Sequence, residues 1–261
     1  MMNTATIGDQ LRGWRQRRRM SQLDLALEAE ISTRHLSFVE TGRAAPSRDM
    51  VLRLAERLDV PLREQNMMLV AAGFAPVFPE RKLDDPAMQP VRAAVDLVLA
   101  GHEPFPALAI DRHWTLVSAN RAVMRLLAGV DAALLQPPVN VLRLSLHPLG
   151  LAPRIVNLPE WREHLFARLR RQVDLSADPV IVALLAELRA YPAPDGLPWR
   201  PARVAPEASP VVPFQLATEA GVLSFVSTTM VFGTPVDITL AELAIESFFP
   251  ADGATAEALR G

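Results

Sequence analysis

The chain has 261 residues, 50% of them apolar and 21% charged, with a net charge of -2, which describes an ordinary globular protein with room for two domains. Its lack of cysteine excludes disulfides, thiolate metal sites and thiol nucleophiles. No run of about 18 uncharged apolar residues occurs, and the start MMNTATIGDQ lacks the basic-then-apolar layout of an export signal, so a cytoplasmic location without membrane insertion is expected.

Charge is uneven along the chain. Residues 1–75 carry 11 Arg against 9 Asp and Glu, and residues 76–261 carry 16 basic against 20 acidic residues. Five arginines fall between Arg12 and Arg19. Such density suits phosphates, although a charge run is more often a solvated helix face.

Ile7, Leu11 and Trp14 recur at helical spacing with the arginines mostly off their stripe, so residues 7–20 are expected to form an amphipathic helix. Ser21 offers an N-cap and Asp24 nearly completes a capping box, opening a second helix over 22–29. Ser32 caps a third helix through Thr33, Leu36, Val39 and Glu40, which Gly42 ends. Pro46-Ser47 starts a fourth, striped by Met50, Val51, Leu54, Ala55 and Leu58, and Pro61 suits the first turn of a fifth that Gly73 stops. Five short helices predict one compact all-α domain over residues 1–74.

Gly73, Pro76, Pro79, Pro86 and Pro90 mark a linker over 75–90. Residues 91–100 have helical spacing, PFPALAID and RHWTLVSAN read as a hairpin, and Asn120 can cap a helix carrying Val123, Met124, Leu126 and Leu127. Four prolines break residues 134–158, leaving short pieces such as 139–146. Helices follow over 159–173 and, capped by Asp178, over 179–190. Seven prolines make residues 191–213 irregular. Extended runs at 214–218 and 223–232 flank a turn at 219–221; in residues 238–249 a Leu-Ala-Glu-Leu core favours helix while the flanking Ile, Phe and Thr favour strand, and a strand is expected; 254–260 is expected as a helix.

A helix that enters the DNA major groove presents short polar or Arg side chains near its first turn, because those reach base edges. Thr33, Arg34, Ser37 and Phe38 lie opposite Leu36 and Val39 on the third helix. Arg34 can pair bidentately with guanine, and Thr33 and Phe38 can touch a thymine methyl. The backbone N–H of Gln22 opens the second helix toward a phosphate, and Thr41 and Arg43 stand at the glycine corner beside the flanking backbone.

Gln22, the small Ala26 at a helix crossing, Leu36 and the corner Glu40-Thr41-Gly42-Arg43 give residues 11–66 a clear likeness. They resemble the helix-turn-helix of the xenobiotic-response-element (Cro/cI-like) regulators. The resemblance implies an internal ion pair between Arg15 and Glu40, which makes Arg15 structural and not a phosphate contact. One position departs from the pattern: Glu30 stands at the turn site that usually holds a left-handed glycine, at a cost of about 1 kcal/mol. A five-helix bundle without a DNA partner is the competing reading.

Residues 91–261 hold no specific chemical signature. His102, His113, His147 and His164 form no zinc-type pair, and there is no GxSxG, phosphate loop or dinucleotide fingerprint, so neither a catalytic site nor a metal or other cofactor is expected. Asp111 and His113 sit where a hairpin turn places polar residues for solubility. A sheet backed by helices can enclose an apolar pocket, and Trp114, Trp161, Phe166, Phe214 and Phe225 are the candidates to line one, with plain core packing as the alternative for each.

The order of hairpin, helices and late strands, with PFPALAIDRHWTLVSAN, Asn140-Val141-Leu142-Arg143 and Trp161, is similar to the PAS-like ligand-binding domain of MmyB-like transcription regulators. That resemblance implies an α+β domain over 91–261, with an antiparallel sheet and a small apolar, fatty-acid-like effector. The whole then reads as a DNA-binding regulator, expected to act as a homodimer on a palindromic double-stranded operator, since each helix-turn-helix reads a half-site. A ligand-free dimerisation or protein-interaction module is the alternative for the second domain.

Overall fold

The structure, a computed structural model, describes residues 5–194 and 211–260. It divides into two compact units: one runs through Arg81 and includes the short pieces Asp174–Ser176 and Pro235–Ala241, and the other takes the rest from Lys82 onward.

The first unit is helical, with α1 (Ile7–Arg17), α2 (Gln22–Glu28), α3 (Thr33–Glu40), α4 (Arg48–Arg57) and α5 (Leu62–Ala71). The hydroxyls of Thr6, Ser21, Ser32 and Ser47 accept from the backbone N–H three residues on, each satisfying one orphan donor of the following helix. Asp9 and Asp24 return the bond and complete capping boxes. Pro61 stands just outside α5 as its N-cap, one position before the expected first turn.

Three helices end on left-handed residues that are not glycine: Arg19 (φ 55°), Glu30 (φ 56°) and Asp59 (φ 46°). The next residue in each case bonds back across the turn, as Ile31 N–H does to the Ala26 carbonyl at 2.9 Å, which offsets the steric cost of about 1 kcal/mol. Gly8 sits where α1 meets the end of α3, and a Cβ there would lie 2.6 Å from the Glu40 carbonyl oxygen. Leu11, Trp14, Leu25, Ala26, Leu36, Val39, Leu54 and Met68 fill the core beneath.

Of the proline-rich stretch 75–90, residues through Arg81 pack within this unit. Asn66 Nδ2 donates to the Phe78 carbonyl at 2.7 Å, and its Oδ1 accepts from Val77 N–H at 2.9 Å.

The second unit begins with α6 (Gln89–Gly101) and holds β1 (Ala107–Ile110), β2 (Leu116–Ala119), α7 (Arg121–Leu126), α8 (Val141–Leu146), α9 (Leu158–Ser176), α10 (Pro179–Ala190), β3 (Phe214–Thr218) and β4 (Gly221–Val231). A helical turn α11 (Ile238–Ala241), which belongs to the first unit, precedes β5 (Ala244–Pro250) and α12 (Gly253–Arg260). The fold class is therefore as expected: an all-α helix-turn-helix region followed by an α+β domain.

The five strands form one sheet of order β2-β1-β5-β4-β3 with every neighbouring pair antiparallel. Alternation sorts the side chains. Ala107, Ala109 and Ile245 face Val95 and Leu99 of α6, whereas Leu108, Ile110, Leu216, Phe225 and Phe248 join the main core with Trp161, Phe166 and Leu169 of α9.

The expected strand over 238–249 is wrong in its first half. Asp237 Oδ1 accepts from Thr239 N–H at 2.9 Å and starts a helical turn, so the strand begins only at Ala244. Of the stretch 191–213, expected to be irregular, residues 195–210 lie outside the described residues.

Candidate DNA interface and ligand cavity

Glu40 ends α3 with its side chain fully buried, and two other helices converge on it. Arg15 Nε and Nη2 from α1 donate to its two carboxylate oxygens at 2.6 and 2.8 Å, and Gln22 Nε2 from α2 donates at 2.7 Å. Burial alone would push the Glu40 carboxyl up. The hydrogen bonds from Arg15 and Gln22, with the charges of Arg15 and Arg12, outweigh that and hold it below its ordinary value.

The arginine run is largely consumed inside the unit. Arg12 donates to the Glu40 carbonyl at 3.0 Å, Arg18 to the Leu58 and Asp59 carbonyls at 2.8 and 2.9 Å, and Arg17 and Arg18 lie over the Trp14 ring.

On the outer face of α3, Arg34 is exposed and Thr33, Ser37 and Phe38 are half-buried. The Arg34 and Arg43 guanidinium carbons lie 5.3 and 5.9 Å from the centre of the Phe38 ring, so one aromatic side chain holds two cations. The corner closes on the same residue, because the N–H groups of Arg43 and Ala44 both donate to the Phe38 carbonyl. Thr41 is exposed, and its hydroxyl donates to the Ser37 carbonyl at 2.7 Å. Gln22, the first residue of α2, spends its side-chain N–H on Glu40.

The second unit holds a partly open apolar cavity of about 100 Å³ between the sheet and helices α7, α8 and α9. Leucines 108, 116, 126, 127, 142, 144, 151 and 165 make most of its wall, with Trp114, Trp161, Phe214 and Phe248. Trp114 reaches it from the β1–β2 turn in a left-handed conformation (φ 66°), an outlier for a bulky residue. Asp111 Oδ1 fixes that turn by accepting from His113 and Thr115 N–H, both at 2.8 Å, while Trp114 Nε1 donates to Gln172 Oε1 at 2.9 Å. His113 Nε2 lies 2.8 Å from Asp178 Oδ2, the residue that caps α10.

Three polar side chains also reach the wall: Ser145, Arg168 and Glu246. Ser145 Oγ accepts from Trp161 Nε1 at 3.0 Å. Arg168 meets Glu246 bidentately at 2.6 and 3.2 Å, donates to Thr229 Oγ1 at 3.0 Å, and covers the Trp114 ring at 4.7 Å. His164 stacks on Trp161, and burial, with the Arg168 charge added and Glu246 opposing, holds its imidazole below the ordinary histidine value. That keeps it uncharged at neutral pH.

Two family models match. A helix-turn-helix model covers residues 11–65, and the MmyB-like transcription regulator ligand binding domain covers residues 91–261. The chain belongs to the MmyB-like transcription regulators. No curated protein matched it. This MmyB-like regulator is thus a DNA-binding transcription regulator with a ligand-binding domain, and among its described residues no helix is long and apolar enough to cross a membrane.

For the five aromatics singled out in the regulator's second domain, the structure divides the set. Trp114, Trp161 and Phe214 line the cavity. Phe166 and Phe225 do not: they are 1% and 0% exposed and packed in the core behind the wall. Phe166 turns toward Arg162, whose guanidinium lies 4.4 Å from its ring, and Phe225 sits against Phe214 as its cross-strand partner. Sequence reasoning missed Arg168 and Glu246. A signal existed, since Glu246 occupies a core-facing register in β5 opposite Leu108, a place where a carboxylate needs a dedicated partner.

Proposed function

We propose that this regulator reads its operator with Thr33, Arg34, Ser37 and Phe38 at base edges and holds phosphates through Gln22, Thr41 and Arg43. A small effector, fatty-acid-like in being mostly hydrocarbon, enters the second domain and changes operator affinity. The observation that carries the effector half is the cavity walled by Trp114, Trp161 and Phe214, because a domain serving only as a packed dimerisation module has no reason to keep such a void.

Two-fold pairing on a palindromic operator follows from the size of one helix-turn-helix footprint. The effector acts only by binding two conformers unequally. Selection of bound sites from random DNA, with and without cell lipid extract, tests the whole. The expected result is an inverted-repeat site whose occupancy changes with extract. An asymmetric site, or occupancy indifferent to extract alongside an empty domain in native mass spectrometry, overturns it.

A further inference from the structure

The DNA-reading face proposed above carries two exposed arginines and one half-buried aromatic ring, and the inference rests on that reading. Arg34 stands one helical turn before Phe38 on α3, the spacing at which two side chains of a helix meet. Its guanidinium carbon is 5.3 Å from the centre of the ring. Arg43 reaches the same ring from the corner. Gly42 takes a left-handed conformation (φ 72°) that turns the chain back, and the N–H groups of Arg43 and Ala44 donate to the Phe38 carbonyl at 2.8 and 3.1 Å. The Arg43 guanidinium carbon then lies 5.9 Å from the ring centre.

Among the described residues, no carboxylate or carbonyl holds either guanidinium. Arg15 is the contrast, since Glu40 takes it bidentately and cancels its charge. An aromatic face attracts a cation without neutralising it, so the charge stays available to DNA. A long side chain that is free in solution loses rotamer freedom when an interface fixes it, and a guanidinium already resting on a ring has given up part of that freedom beforehand.

We propose that Phe38 is a positioning residue for both arginines. Whatever base edge it meets itself, its ring orients Arg34 toward a guanine and Arg43 toward the flanking phosphate, and so couples base reading to phosphate holding. Loss of the ring weakens both at once, a pattern that substitution of either arginine does not give.

The test uses the full-length protein on the site it selects from random DNA. Phe38→Leu keeps apolar bulk and removes the aromatic face, whereas Phe38→Tyr keeps the face. Phe38→Leu is expected to lower operator affinity by about tenfold, as the product of about two- to fivefold for each cation–π contact. It is also expected to relax choice at the same base pair that Arg34→Ala relaxes. In the Phe38→Leu background, Arg34→Ala is expected to cost about two- to fivefold less than in the natural chain, because the contact it removes is already gone. Phe38→Tyr is expected to stay within about twofold of the natural chain.

A Phe38→Leu loss confined to another base pair, with the cost of Arg34→Ala unchanged, assigns the ring to base contact alone and overturns the proposal. A Phe38→Tyr variant as weak as Phe38→Leu does the same. A natural chain that selects no site overturns the DNA reading itself. Should Phe38→Leu not fold, proton NMR of the natural chain without DNA decides: the ring is expected to move the δ-methylene resonances of Arg34 and Arg43 upfield of those of Arg57, which is exposed on α4. Unshifted resonances overturn the proposal.

Discussion

Each unit of this protein buries one glutamate against one arginine, and the two pairs serve different ends. Glu40 is surrounded: Arg15 and Gln22 take its oxygens, Arg12 takes its backbone carbonyl, and α1, α2 and α3 are tied at one point. Glu246 has the same bidentate geometry but borders a cavity, and its arginine is 25% exposed against 12% for Arg15. An ion pair closed in by backbone is a brace. One that borders a void is part of that pocket's wall.

The largest expected effect breaks the brace. Glu40→Ala leaves Arg15 buried without a counter-charge and should cost about 3–5 kcal/mol, enough to unfold the helical unit and abolish operator binding. Glu246→Ala should cost less, about 1–3 kcal/mol, because Arg168 keeps its stack on Trp114 and can turn toward solvent. Thermal melts resolved by domain check both, and equal losses would erase the distinction between brace and wall.

Acid sharpens the comparison further. The folded Glu40 carboxyl sits below its ordinary value of 4.5, so the stability it contributes is complete above that value and is lost as pH falls through the lower folded value. Asp9 and Asp24 in the same unit are also lowered, by hydrogen bonds from Thr6 and Ser21. The helical unit should therefore weaken below pH 4.5, and Glu40→Gln should flatten that acid limb without removing it.

Smaller effects separate reading from holding. Arg34→Ala should cost about 1–3 kcal/mol at one base-pair position and relax choice there. Arg43→Ala should weaken binding across all sequences and reduce the salt slope by about one unit. Identical losses on operator and random DNA for Arg34→Ala would remove it from the reading set. Smallest in stability is Leu126→Phe, which fills the cavity at a cost under about 1.5 kcal/mol if the ring packs, yet should abolish uptake of a small apolar effector.

Much of the helical unit was legible because its information is local. Thr6, Ser21, Ser32 and Ser47 cap within three residues of themselves, and the stripes Leu11-Trp14 and Val51-Leu54-Leu58 set the buried faces. Even there, Gly8 hid its part, since its need for contact with Glu40 spans 32 positions of sequence. The arginine run misled for the same reason: Arg18 finds its carbonyls at Leu58 and Asp59, which no local pattern announces.

The second unit was legible by element and obscure by site. Periodicity found the β1–β2 hairpin and α9, but it could not separate Phe214 in the cavity wall from Phe225 behind it, because both are apolar residues of one β-hairpin. The strand misjudged at 238–249 failed at Asp237, whose cap on Thr239 competes with extension.

The sequence by itself determined the two-part order of the chain, the five-helix unit and the face of α3 that carries Thr33, Arg34, Ser37 and Phe38, since caps and stripes act over three or four residues. Tertiary structure alone decided that Arg34 and Arg43 share the Phe38 ring, that Arg168 and Glu246 seal each other, and that a void remains among the leucines around Trp161. Pairings between distant positions and the volume left over when side chains pack are properties of the assembled core, and neither has a local period to read.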